Sequence, residues 1–158
     1  MATKKATPKE QELVNVKVAK MKEFLEASKI ECFDIEERKD EMATTIFRSR
    51  MQVKGQVLPF AILIDNSVYL QLQVQLVAGA VKDQVFTNMF PILNNLNNNI
   101  RMFKFSVTPQ GDLLLNVCLT AANDEFNPAL LNAILGETLK FLEAQYAAIM
   151  EHVWKESK

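Results

Sequence analysis

Few residues in this chain have the chemistry for catalysis. His152 is the one histidine and lies near the end of the sequence, so a Ser-His-Asp triad or a histidine-based metal site would rest on a single imidazole. Its neighbours place it on the wet side of a helix close to the C-terminal end, a favourable position for a partial positive charge. Cys32 and Cys118 are far apart and form no CxxC pair, so reduced structural thiols are expected. Asp34, Glu36, Glu37, Asp40 and Glu41 could serve as an acid/base or cation cluster, but Arg38 and Lys39 stand among them and the spacing is not that of an EF-hand loop. A solvated turn is the better reading. Gly55, Gly79, Gly111 and Gly136 fall in no GxGxxG or GxxxxGK[ST] pattern, so no Gly-rich phosphate cradle is expected. The inventory predicts no catalytic residue, no cofactor and no metal site. A small enzyme using carboxylates or Cys118 is the alternative.

Groups suited to binding are better represented. Gln71, Gln73 and Gln75 occupy alternate positions of one strand pattern, where a long amphipathic strand would ordinarily carry charges, lysine above all, against unwanted pairing. Neutral amides leave such a face open to contact. Arg48 and Arg50 alternate in the same way on an earlier strand, and if that strand lies alongside, Arg forks and Gln amides together could hydrogen-bond a peptide or a second subunit. These five residues are the candidate partner-binding set. Phe103 and Phe105 suggest the stacking aromatics of an RNA-binding sheet, but only Arg101 and Lys104 accompany them, and core packing is expected instead.

The elements that must position these groups follow from periodicity. Thr7-Pro8-Lys9-Glu10 reads as a capping box, and Val14, Val18, Met21 and Leu25, with Leu13 and Phe24 beside them, continue a helix to about Ser28. Lys17, Lys20, Lys22 and Glu23 are placed on its wet side. A short strand around Phe33 and Ile35 precedes the charged turn, and Thr45 to Val53 alternates as a half-buried strand. Val57 to Ile64 is apolar on both sides, predicting a central strand with both faces at least partly covered and Pro59 at a start or bulge. The clearest strand has Val68, Leu70, Leu72, Val74 and Leu76 inward and Tyr69 with the three glutamines outward.

Asp83 is expected to cap a helix that Pro91 kinks or restarts and that ends in the asparagine-rich stretch to Asn99. Phe103 to Val107 and Leu113 to Leu119 form a hairpin across Pro109-Gln110-Gly111-Asp112. Asn127-Pro128 opens the last helix, whose broad apolar face includes Leu131, Leu142, Tyr146, Ile149 and Val153; Trp154 is either core or an interface anchor. The order helix, three or four strands, helix, two strands, helix predicts an α+β fold with an antiparallel sheet and helices packed on it.

The 158 residues suit one domain, 1–158, with residues 1–6 as a disordered tail. A net charge of −1 offers no field for nucleic acid or anionic lipid, and no apolar run is long enough to cross a membrane as a helix. The lysines and glutamates after Pro8 exclude a signal peptide, so a cytoplasmic protein is expected.

The stretch Phe90-Pro91-Ile92-Leu93-Asn94-Asn95-Leu96-Asn97, then Phe103-Lys104-Phe105, then Gly111-Asp112-Leu113-Leu114-Leu115 resembles the YbjN-like family of bacterial sensory-transduction regulators. The order of elements is similar to the class I type III secretion chaperone fold, which that family is thought to share. The resemblance implies a small, often dimeric α/β-sandwich that binds other proteins and has neither cofactor nor catalytic residue. The expectation is therefore a non-enzymatic protein-binding or regulatory module, adaptor-like and homodimeric, with an unknown protein partner; a chaperone for a secreted client is a further alternative. Asn94 and Asn97 are expected to satisfy backbone groups where the helix gives way to the next strand.

Overall fold

A computed structural model describes residues 15–156. The expected capping box at Thr7, the tail 1–6, and Leu13 and Val14 lie outside the described residues. The described residues form an α+β fold: α1 (Val16–Ala27), β1 (Asp34–Glu37), β2 (Thr45–Val53), β3 (Gln56–Ile64), β4 (Tyr69–Val77), α2 (Asp83–Asn99), β5 (Lys104–Val107), β6 (Leu113–Thr120) and α3 (Pro128–Glu156). The strands make one antiparallel sheet in the order β1-β2-β3-β4-β6-β5, so β3 and β4 lie at its centre.

Period-2 alternation decides which side of the sheet is dry. Phe47, Met51 and Val53 of β2, Leu58, Phe60, Ile62 and Ile64 of β3, and Leu70, Leu72, Val74 and Leu76 of β4 point one way. Leu113, Leu115 and Val117 of β6 and Phe105 of β5 continue that face, and α1, α2 and α3 all join the same hydrophobic cluster. Ile46, Ala61, Leu63 and Leu114, which point the other way, do not belong to it. All three helices therefore cover one side of the sheet.

Local chemistry sets the corners. Lys54 and Gly55 both have positive φ, as the tight β2–β3 hairpin requires. Asp65 Oδ1 accepts from the Ser67 N–H at 2.9 Å and closes the β3–β4 turn. Asn127 Oδ1 accepts from the N–H groups of Ala129 and Leu130, so α3 starts as its sequence indicates.

Several expectations are corrected. The described part of α1 begins at Val16 with Asn15 as its cap, its Oδ1 accepting from the Val18 N–H at 3.1 Å. Lys17 is not on the wet side: it is fully buried and donates through Nζ to the carbonyls of Ser67 at 2.6 Å and Tyr69 at 3.0 Å. Desolvation lowers its pKa, against the attraction of Asp65. Asp83 is the first residue of α2 rather than its cap, which is Lys82. Pro91 does not restart α2, which runs on as one helix with the proline on its exposed side. Pro59 marks neither start nor bulge; it pairs with Arg50 of β2, and the ladder to β4 begins only at Phe60, so no β4 partner requires its missing N–H. Val68 is exposed outside β4, and Trp154, 52% exposed, is not core.

Candidate functional site

The side of the sheet away from the helices carries the residues singled out for binding. Register places Asp34, Arg48, Ala61, Gln73, Asn116 and Lys104 in a single row across all six strands. One step along the strands, Arg50 lies beside Pro59, and Gln75 beside Leu114. One step the other way, Ile46 pairs with Leu63, Leu63 with Gln71, and Gln71 with Cys118. The expectation that β3 is central is met, and partial cover of both faces holds for its second half only: on the outer face Ala61 and Leu63 are half-buried, whereas Val57 is 55% exposed and Pro59 is exposed.

Side-chain length gives this face its relief. β3 presents the short residues Pro59 and Ala61, while β2 presents Arg48 and Arg50 on one side and β4 presents Gln73 and Gln75 on the other. The result is a shallow trough of about 760 Å³ lined by these six residues together with Asp34, Cys32, Ser49, Phe60 and Leu114. Its walls are two strand spacings apart, about 10 Å. Four of the five predicted residues converge on it, and Gln71 stands just beyond its end.

The two arginines differ in commitment. Arg48 donates from Nε and Nη2 to Glu36 Oε2 at 3.2 and 2.9 Å, and Arg38 donates to Glu36 Oε1 at 3.1 Å. The Arg48 hydrogen bond foremost, then that of Arg38, holds the Glu36 carboxyl below its usual range. Arg50 has no hydrogen bond or ion pair to any described residue. Nor do the side chains of Gln71, Gln73 and Gln75, whose donors and acceptors are left for whatever lies on the face. Asn116, in the same row, instead donates to Ser106 Oγ at 2.8 Å and to the Lys104 carbonyl.

The groups considered for chemistry remain scattered. Glu37 pairs with Lys22, and Asp40 Oδ1 accepts from the Thr44 N–H at 2.9 Å, which lowers its pKa; with Glu36 held by two arginines, three of the five carboxylates are in ion pairs or turn contacts, while Asp34 lines the trough and Glu41 has no side-chain partner among the described residues. His152 is exposed on α3. Cys32 and Cys118 are free and exposed, and no group of three or more His, Cys, Asp or Glu among the described residues could hold a metal ion. Phe103 and Phe105 are buried against Phe141, with ring centroids 4.5 and 6.3 Å from it, as core residues.

The sequence reading missed the trough floor. Its signal was present in the alternation of β3, where Pro59 and Ala61 fall on the same side as Val57 and Leu63 and interrupt a run of larger residues. No helix among the described residues is long and apolar enough to cross a membrane. No family model matches the chain, and no curated protein matches it.

Proposed function

We propose that this chain is a non-enzymatic protein-binding module whose working surface is the helix-free face of its sheet. The observation that carries this reading is the trough over Pro59 and Ala61, walled by Arg50 and by glutamines that spend none of their hydrogen-bonding capacity on other described residues. A sheet face meant only for water ordinarily carries charges that discourage association. Here the charges Asp34, Arg48, Arg50 and Lys104 sit toward the flanks, while central β3 and β4 present neutral amides with exposed Val57 and Pro59. The order of elements and the Phe90–Asn97 stretch support membership of the YbjN-like family, and with it an adaptor-like, homodimeric role.

A photo-reactive phenylalanine analogue placed at Gln73, irradiated in cells, tests the reading. Adducts to another polypeptide are expected from Gln73 and not from the same analogue placed at Glu151. Irradiation that leaves the Gln73 variant free of adducts contradicts the proposal.

A further inference from the structure

Resting on the reading of this face as a protein-binding surface, we infer that its occupant is an extended peptide segment carrying a carboxylate, laid along β3 with the carboxylate at Arg50. Dimensions, hydrogen bonding and charge each lead to this occupant.

An extended chain is about one strand spacing wide, so over β3 it fits within the gap of two strand spacings between the Arg and Gln walls. Gln71, Gln73 and Gln75 recur every second residue of β4, about 7 Å apart. That is also the repeat at which an extended chain turns the same backbone edge outward. Each glutamine Nε2 can donate to a peptide carbonyl and each Oε1 can accept from a peptide N–H, so the row reads backbone without reading sequence. The floor of Pro59 and Ala61 leaves room for the alternate side chains that point down.

Charge then sets the preference. Arg48 is held by Glu36, whereas Arg50 has no ion pair with any described residue; Asp34, the other charge lining the trough, lies beside Arg48, so Arg50, one step further along β2, is the cation open to an incoming carboxylate.

A second copy of this chain fits the trough poorly. A two-fold axis across the strands sets β2 on β2 and β4 on β4, ridge upon ridge, and leaves the trough unfilled. An axis along the strands, between β3 and β4, seats the glutamine row in the partner trough. It also lays β2 over β6 and buries Arg50 against Leu114 and Asn116 with no anion, which is costly.

Fluorescence anisotropy with labelled short peptides tests this directly, using alternating Ser and Val around a central Glu, Gln or Lys, against the full chain and its Arg50→Glu and Arg50→Gln variants. Arg50 is exposed, so both variants should keep the unfolding midpoint of the parent chain. The Glu-centred peptide is expected to bind about tenfold more tightly than the Gln-centred one, the Arg50→Gln variant to lose that margin, and Arg50→Glu to prefer the Lys-centred peptide. Equal binding of all three peptides, or binding indifferent to Arg50, overturns the inference. If no peptide binds while Gln73 still forms photo-adducts to a folded partner or a second copy, the extended-segment inference falls and the binding-face reading stands. If there are neither adducts nor peptide binding, both fall.

Discussion

Asn97 shows how one side chain can finish a sheet. Its Nδ2 donates to the Phe105 carbonyl at 3.0 Å and its Oδ1 accepts from the Phe105 N–H at 2.7 Å, so a single amide closes the outer edge of β5 as a neighbouring strand would. The expectation that this asparagine satisfies backbone at the helix end was therefore right for Asn97. For Asn94, exposed on α2, no side-chain hydrogen bond to a described residue is found. Asn97→Ala should cost about 1–3 kcal/mol in urea unfolding and speed hydrogen exchange at Phe105; Asn97→Asp, which accepts but cannot donate, should lie between. Lys17 was placed on the wrong side because its charge says water while its position, one residue before Val18, says interior. Its aliphatic stem fills core and its amine finds two carbonyls. Lys17→Met keeps the stem but removes the Nζ donor of the Ser67 carbonyl and leaves the Tyr69 carbonyl the 3.4 Å contact from Ser67 Oγ, and a loss of about 1–3 kcal/mol is expected. Because its native pKa lies below its unfolded value, the unfolded chain binds more protons between the two, and this contribution to stability rises with pH across that alkaline window. Glu36 has the opposite sign. Its carboxyl is depressed by Arg48 and Arg38, so the stability it contributes is present above its ordinary pKa and is lost as pH falls through the depressed one. In Arg48→Ala its carboxyl titration, followed by NMR, should move up toward the usual carboxylate value.

Elements with strong alternation were read correctly from sequence, because a one-residue slip would turn every inward side chain of β2, β4 or β6 to water. The β5–β6 turn shows the same economy. Gly111 has φ +86°, and a Cβ there would meet Lys82 Cγ at 2.5 Å and the Val81 carbonyl at 3.1 Å. Lys82 could move aside, but the conformation itself remains strained for any other residue. Gly111→Ala should therefore lower stability by about 1–2 kcal/mol in thermal or urea unfolding. Boundaries and capping were less readable: α2 starts at Asp83 with Lys82 as its cap, and it passes through Pro91 because tertiary packing of Met89 and Leu93 holds both halves on the core. Local propensity alone carries no information about that support.

Across the whole molecule, the strand pattern established an antiparallel sheet but not which side the helices would leave bare. That depends on three amphipathic helices all choosing the same face, a long-range outcome no local period encodes. The continuous apolar run of β3 suggested at least partial cover on both faces; it did not show that the outward half is the floor of the trough, with small residues between long ones. Alternation turned Arg48, Arg50 and the glutamines outward from sequence alone, but their two strands were expected side by side, whereas β3 lies between them and opens the gap that becomes the trough. The commitment of Arg48 to Glu36, which leaves Arg50 as the open cation, needed coordinates. The most direct test of the binding-face account is NMR of the side-chain amides of Gln71, Gln73 and Gln75 during titration with the Glu-centred peptide. The account predicts saturable shifts of these amides together with Ala61 and the Arg50 Nε–H, while signals of α2, which lines no part of the trough, stay in place. Shifts confined to the helices, or glutamine amides that do not move, would contradict it.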